Sequence, residues 1–171
     1  AFSPDGKRLI TACGDHMLYL WDVKKGIRLY AFEGHSDEIW DVKWSAGSNL
    51  AASCGWDNKA VIWDISNRKQ VMQFPDHVTE LWSVAFSPEG IILASSGGDR
   101  TIKLWDLSTG KLMVELGTGL HTSDIEEVAF NPDGETLVSC GRDGLLHFWS
   151  VPGMDERFSS AIDLALEDWS E

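Results

Sequence analysis

The sequence predicts an all-β fold built from about four similar units, each with about four short antiparallel strands. Tryptophans recur at intervals of 42, 42 and 44 residues, at Trp21, Trp63, Trp105 and Trp149. A turn motif recurs in the same register, and the apolar runs between turns are only four to seven residues long. Such runs, rich in β-branched and aromatic side chains, are typical of strands and too short for ordinary helices. A fixed period of this length indicates a repeat architecture.

The turn that opens each unit follows an aromatic residue. These aromatic residues keep the intervals of the tryptophans and are Phe2, Trp44, Phe86 and Phe130. In residues 3–6, 87–90 and 131–134 the turn has proline second and glycine fourth, whereas the second unit has Ser45-Ala46-Gly47-Ser48. Proline and glycine at those positions favour a type I turn between two strands.

The later strands of each unit carry the most specific motif. After the turn come a short apolar run, a turn with Gly and Asp, and a second run that ends in Trp-Asp. The Trp-Asp pairs are Trp21-Asp22, Trp63-Asp64 and Trp105-Asp106, and Trp149-Ser150 departs from the pattern. A Gly-His element occurs at Gly34-His35, with looser forms at Asp76-His77 and Leu120-His121. Over about residues 1–152 the chain resembles the WD-repeat (WD40) family, which implies a β-propeller of four-stranded blades.

The resemblance predicts a WD-repeat arc at residues 1–152 and a separate tail at 153–171. The expected blades are residues 1–33, 37–75, 79–117 and 123–151, and the first is truncated at its innermost strand. Closed propellers typically have four to eight blades. We therefore expect an open arc of a longer propeller, with a small independent unit or half of a two-chain ring as alternatives.

The tail abandons the repeat pattern. Its apolar residues follow helical spacing at Phe158, Ala161, Ile162, Ala165, Leu166 and Trp169. This spacing favours a short amphipathic helix. The alternative is that residues near Arg157–Leu164 form the outer strand of the fourth blade.

Three units contain His, Ser, Asp and Trp at successive separations of 18, 4 and 6 residues. The sets are His35, Ser53, Asp57 and Trp63; His77, Ser95, Asp99 and Trp105; and His121, Ser139, Asp143 and Trp149. Ser, His and Asp also form hydrolase triads, but no G-x-S-x-G motif occurs, and three copies argue against one active site. In WD-repeat proteins such positions form a buried hydrogen-bond chain from indole to serine, histidine and aspartate. The resemblance therefore implies structural networks, and we expect neither enzymatic activity nor a cofactor.

The composition limits the classes of partner, cofactor and location that we expect for the chain. The net charge is −13, from 27 acidic and 14 basic residues, so direct nucleic-acid binding is not expected. Cys13, Cys54 and Cys140 form no CxxC pair and are expected to be buried thiols, and the isolated His16 and His147 are not expected to bind metal. No stretch is long and apolar enough for a membrane span. We expect an intracellular protein, cytoplasmic or nuclear.

Aligning the units brings three sets of equivalent positions to one face. Glu38, Glu80 and Asp124 form the first set; Trp40, Trp82 and Glu126 the second; Trp56, Gly98 and Arg142 the third. WD-repeat proteins bind peptides mainly on this face. Carboxylates beside exposed tryptophans suit a Lys- or Arg-containing segment through ion pairing and cation–π contact. The alternatives are that Trp40 and Trp82 pack between blades and that the carboxylates form a solvated rim.

The expected function is a protein-binding scaffold or adaptor within a larger complex. The alternative is the non-catalytic propeller part of a multidomain signalling enzyme. The isolated chain is also expected to associate with itself, because a terminal blade of an open arc leaves one apolar face uncovered. The residues expected on these faces are Leu9, Leu18 and Leu20 at one end and Leu137, Leu145 and Phe148 at the other.

Overall fold

The computed structural model describes residues 1–151 and 163–164, which form four antiparallel sheets in chain order. The first sheet consists of β1 (Arg8–Ala12), β2 (Leu18–Asp22) and β3 (Ile27–Phe32). The second consists of β4 (Ile39–Trp44), β5 (Leu50–Gly55), β6 (Ala60–Asp64) and β7 (Lys69–Phe74). The third consists of β8 (Leu81–Phe86), β9 (Ile92–Gly97), β10 (Ile102–Asp106) and β11 (Lys111–Leu116). The fourth consists of β12 (Ile125–Phe130), β13 (Thr136–Gly141), β14 (Leu146–Ser150) and β15 (Asp163–Leu164).

Each sheet is a meander in which consecutive strands pair, so the all-β prediction is confirmed. The first sheet has three strands, and an isolated bridge between Phe2 and Leu9 stands where the other sheets have their innermost strand. The opening turns close as expected: the amide of Gly6 donates to Ser3 O at 2.9 Å, and that of Gly90 to Ser87 O at 2.8 Å.

The cores lie between neighbouring sheets. Ile10, Leu18 and Leu20 of the first sheet pack with Ile39 and Val61 of the second. A strand directs alternate side chains to opposite faces, so Leu9 is on the outer face. The expectation that Leu18 and Leu20 are uncovered is therefore wrong.

The expectation of an uncovered side chain is also wrong for Leu137 in the fourth sheet. Leu137 is fully buried in a cluster with residues of the third sheet. Phe148 lies on the outer face, as expected, together with Val138, which pairs with it, and with the pair formed by Cys140 and Leu146. Cys140 is exposed, as is Cys13, so only Cys54 is the buried thiol that was expected.

The tail contributes an edge strand. Leu164 pairs with Phe148 and Asp163 with Trp149, in antiparallel register. At these two residues the structure has the outer strand that was the alternative to a helix. The other residues of the expected helix, between Phe158 and Trp169, lie outside the described residues.

Candidate partner-binding face

The His, Ser, Asp and Trp of the second sheet form a continuous hydrogen-bond chain. The indole of Trp63 donates from Nε1 to Ser53 Oγ at 2.8 Å. His35 Nε2 lies 2.7 Å from the same oxygen, and His35 Nδ1 lies 2.9 Å from Asp57 Oδ1. The strand register positions the pair, because Trp63 is opposite Ala51 and Ser53 is two residues further along β5.

The same chain recurs in the third and fourth sheets. Trp105 donates to Ser95 Oγ at 2.9 Å, and His77 lies 2.8 Å from Ser95 Oγ and 2.8 Å from Asp99 Oδ2. The fourth sheet has Trp149 at 2.9 Å from Ser139 Oγ, His121 at 2.9 Å from the same oxygen and at 3.0 Å from Asp143 Oδ2.

The protonation of these chains follows from the chemistry of their ends. An ionised carboxylate only accepts hydrogen bonds, so the histidine Nδ1 carries the proton that faces the aspartate. Nε2 of the neutral ring then accepts from the serine hydroxyl, whose oxygen accepts from the indole. Every donor in the chain has an acceptor, which is the condition for burying polar groups without a large cost.

Each carboxylate at the end of a chain has a lowered pKa. Burial raises the pKa of Asp99, but the hydrogen bond from His77, the positive charge that this ring carries when it is protonated, and the hydrogen bonds from Thr101 outweigh burial and hold the pKa at about 2. For Asp143, burial is likewise outweighed, by the amides of Leu145 and Thr122 and by His121, and the pKa is also about 2.

These serines are poorly placed for nucleophilic attack. Ser53 and Ser95 are fully buried, and Ser139 is 1% exposed. Each hydroxyl is already engaged between an indole and an imidazole. A nucleophile needs an approach path and oxyanion donors beside it.

The first sheet has a partial version of the network. Trp21 donates to Thr11 Oγ1 at 3.0 Å, as the equivalent residues do elsewhere. Asp15 instead accepts from the Tyr19 hydroxyl at 2.6 Å. This Tyr19 contact could not be predicted from the repeat pattern, because the other units have unrelated residues at the position of Tyr19.

One backbone hydrogen bond, repeated in three sheets, sets the geometry of the predicted face. The amide of Trp56 donates to Glu38 O at 2.9 Å, that of Gly98 to Glu80 O at 3.0 Å, and that of Arg142 to Asp124 O at 2.9 Å. The first and third sets of positions are therefore adjacent in the second, third and fourth sheets. We call Glu38, Trp40, Trp56, Glu80, Trp82, Asp124, Glu126 and Arg142 the tryptophan–carboxylate face.

Three tryptophans from two sheets form the centre of this face. Trp40 stacks on Trp56, with ring centroids 5.6 Å apart and planes at 24°. Trp82 meets Trp40 edge-on at 5.3 Å and Trp56 at 6.4 Å. Trp40 is 49% exposed and Trp56 43% exposed, so the cluster both bridges the second and third sheets and presents aromatic surface.

Arg142 reaches this cluster from the fourth sheet. Its guanidinium carbon lies 4.8 Å from the centroid of the Trp82 ring. Nε donates to Glu126 Oε1 at 2.7 Å and Nη1 to Asp124 Oδ2 at 3.0 Å. The Glu126 hydrogen bond, with the charges of Asp124, Glu126 and Glu80, outweighs burial and raises the pKa of Arg142.

The carboxylates of the face differ in their partners. Asp124 and Glu126 are paired with Arg142. Among the described residues, no hydrogen bond or ion pair is made by the side chains of Glu38 and Glu80. The face therefore carries excess negative charge beside exposed indoles.

Sequence alignment of the units found the members of this face but not their roles. Arg142 was expected to be available to a partner, whereas its guanidinium is held by its own blade. The other aromatic and cationic members of the face, Trp40, Trp56 and Arg142, all contact Trp82. The contacts therefore centre on one tryptophan and do not repeat from blade to blade. Residue spacing within one unit carries no signal for the Arg142–Trp82 contact, because the two residues lie on neighbouring sheets.

Two other site types receive no support in residues 1–151 and 163–164. No cluster of three or more His, Cys, Asp or Glu side chains is arranged there to hold a metal ion. That part of the chain also contains no helix of the length and apolarity that crossing a bilayer requires.

Comparison with known proteins agrees with the sheet geometry. The profile of the family described as "WD domain, G-beta repeat" matches residues 1–22, 26–64, 68–106 and 115–150. A segment of 39 residues is 44% identical to the "Probable serine/threonine-protein kinase PkwA" of Thermomonospora curvata; it makes up 23% of this chain and 5% of that protein. The chain thus matches only a small part of that relative's length. The profile covers most of the chain, and its second and third matches each join the last strand of one sheet (β3 or β7) to the first three strands of the next sheet. The chain therefore belongs to the WD-repeat family of protein-interaction scaffolds, as a partial β-propeller.

Proposed function

We propose that the chain is a non-catalytic scaffold that binds a basic segment of a partner protein on the tryptophan–carboxylate face. The observation that carries the proposal is the coincidence, on one face, of exposed Trp40 and Trp56 with the unpaired carboxylates of Glu38 and Glu80. Exposed clustered tryptophans are typical anchors of protein interfaces. Carboxylates beside them favour a cationic side chain over a neutral one.

Salt and charge dependence test this proposal. A fluorescent peptide array that varies net charge should yield peptides rich in Lys or Arg, and fluorescence polarisation should give weaker binding at higher salt. Glu80→Lys should weaken binding at least tenfold. The matched control is Glu89→Lys, which makes the same charge change on the exposed turn at the other end of β8. Equal effects of both substitutions, or preference for acidic peptides, would remove the face from the proposal.

A second candidate is the propeller part of a multidomain signalling enzyme. The similarity to the probable kinase PkwA favours it. In this case the face would bind a substrate or a regulator of a catalytic domain elsewhere in the polypeptide. Sequencing the complete reading frame decides between the two, because a kinase domain has a glycine-rich loop and a catalytic Asp and Asn in fixed order.

A further inference from the structure

Each interface between neighbouring sheets joins the same two kinds of surface. The forward surface of a sheet faces the next sheet along the chain, and the backward surface faces the preceding sheet. In the first interface, Leu18 and Leu20 of the forward surface pack with Ala51 and Trp63 of the backward surface. The equivalent residues of the other two interfaces pack in the same way: Ala60 and Ile62 with Leu93 and Trp105, and Ile102 and Leu104 with Leu137 and Trp149.

The fourth sheet has a forward surface that no sheet of the described residues covers. In the register of the repeat, Leu146 and Phe148 are equivalent to Leu18 and Leu20. Leu146 is 47% exposed, whereas Leu18, Ala60 and Ile102 at the same position are fully buried. This exposure therefore reflects the missing neighbour, because the position is an interface position in every other sheet.

The first sheet has a backward surface that is uncovered in the same sense. Leu9 and Trp21 are equivalent to Ala51 and Trp63 in the register of the repeat. Both are partly exposed, whereas the tryptophans at the position of Trp21 in the other three sheets are at most 3% exposed. Trp21 still donates to Thr11 Oγ1, so its ring is fixed in the sheet as its equivalents are. The backward surface is thus formed without a sheet against it.

The two uncovered surfaces are complementary to each other. The positions that they present are the ones that meet three times within the chain, with the forward surface on one side and the backward surface on the other. Their charges agree with this pairing: residues 123–151 have six acidic side chains and one basic side chain, whereas residues 1–33 have five basic and four acidic side chains. Two fourth sheets would therefore repel each other, while a fourth and a first sheet would attract.

We propose that a second copy of the chain covers these surfaces, with the forward surface of the fourth sheet of one copy on the backward surface of the first sheet of the other. Because the contact joins two different surfaces, each copy keeps one surface free, and association continues until a ring closes. Two copies contain eight sheets in total, and closed propellers typically have four to eight blades. The inference gives the expected self-association a direction and does not depend on the tryptophan–carboxylate face.

The same substitution at opposite ends of the chain tests this direction. Leu146→Asp places a carboxylate on the forward surface of the fourth sheet, and Leu9→Asp places one on the backward surface of the first. Burying an unpaired charge is costly, so in sedimentation velocity each variant alone should associate about tenfold more weakly than the wild type. An equimolar mixture should form a 1:1 dimer at a concentration at which either variant alone is monomeric, because the mixture retains one intact surface of each kind.

Val78→Asp is the charge-matched control, since Val78 is 79% exposed and lies between β7 and β8. It should associate as the wild type does. Leu9→Asn is a second variant of the first sheet, because it adds polarity without charge, and Leu146→Asp should restore its association in the same way. Cooperative urea unfolding checks that each variant is folded.

The remaining outcomes overturn the proposal. Association of Leu9→Asp alone at the wild-type level would show that fourth sheets pair with each other, and association of Leu146→Asp alone would show the same for first sheets. A wild-type chain that stays monomeric would mean that another segment or another protein covers these surfaces. A mixture of folded variants that does not dimerise would show that the forward and backward surfaces do not meet between copies.

Discussion

At the scale of single residues, two adjacent serines allow the effect of hydrogen bonding on stability to be measured separately from the effect of burial. Ser95 and Ser96 are both fully buried in β9. Ser95 Oγ connects Trp105 to His77, whereas Ser96 Oγ has no partner among the described residues. The pair therefore isolates the contribution of one network.

Ser95→Ala should lower the free energy of unfolding by about 1–3 kcal/mol, because it leaves the indole N–H and the imidazole Nε2 unpaired in the core. Ser96→Ala removes an unpaired hydroxyl of the same size and should change stability by less than about 0.5 kcal/mol. Urea denaturation of both variants measures the difference. Equal losses would show that the network does not stabilise the sheet.

The depressed carboxylate pKa values predict how acid destabilises the fold. Asp99 has a folded pKa of about 2, below its ordinary value of 3.8. A lowered folded pKa contributes stability above about pH 4, and this contribution is lost as the pH falls toward about 2. Asp99→Asn removes that titration, so its urea midpoint should fall less between pH 5 and pH 2 than the wild-type midpoint. A wild-type slope retained in Asp99→Asn would contradict the lowered pKa of Asp99.

At the scale of elements, one position is strained in the turn between β1 and β2 and in the equivalent turns between β5 and β6, between β9 and β10 and between β13 and β14. Four equivalent residues have positive φ there: His16 (70°), Asn58 (62°), Arg100 (63°) and Gly144 (76°). Residues with a Cβ pay about 1–2 kcal/mol for this conformation, and glycine does not.

Arg100→Gly should therefore raise the free energy of unfolding by about 0.5–1 kcal/mol, the strain relief being partly offset by the greater freedom of glycine in the unfolded chain. The reverse change, Gly144→Ala, should lower it by a similar amount, because no atom crowds the Cβ position and only the backbone strain is added. Thermal or urea unfolding of both variants measures this. Stability losses in both would show that the Arg100 side chain makes a contribution that outweighs the strain.

The repeat made the strands predictable, but not their packing at the ends. The contact between Ser53 and Trp63 was predicted from the resemblance to WD-repeat proteins, and the antiparallel register of β5 and β6 explains it. The faces on which Leu18 and Leu137 lie were mispredicted. Alternate side chains of a strand point to opposite faces of the sheet, and only the packing of a neighbouring sheet decides which of the two faces is buried. Arg142 on Trp82 was not predictable either, because that contact depends on the distance between blades rather than on spacing within one.

The outer faces of the first and fourth sheets predict self-association at the scale of the whole molecule. Leu146 is 47% exposed, and with Val138, Cys140 and Phe148 it forms an apolar surface that no neighbouring sheet of the described residues covers. Uncovered ends of repeat arrays tend to associate. Light scattering at micromolar concentration should show a mass above 19.0 kDa that rises with concentration.

Leu146→Asp should weaken that association about tenfold. Val78→Asp is the control, because Val78 is 79% exposed and lies in a loop away from the outer face, while the charge change is the same. A monodisperse wild-type chain of single mass, or equal effects of both substitutions, would contradict an interface at the fourth sheet.

The most direct test of the account distinguishes its two classes of tryptophan in a single titration. A basic peptide from the array is added while the indole N–H signals are followed by NMR. The account predicts that the signals of Trp40, Trp56 and Trp82 shift, whereas those of Trp63, Trp105 and Trp149, which donate to buried serines, stay in place. Shifts centred on Trp63, Trp105 and Trp149, with the other three unmoved, would mean that the partner acts at the Ser–His–Asp networks, and the assignment of a binding face and structural networks would be wrong.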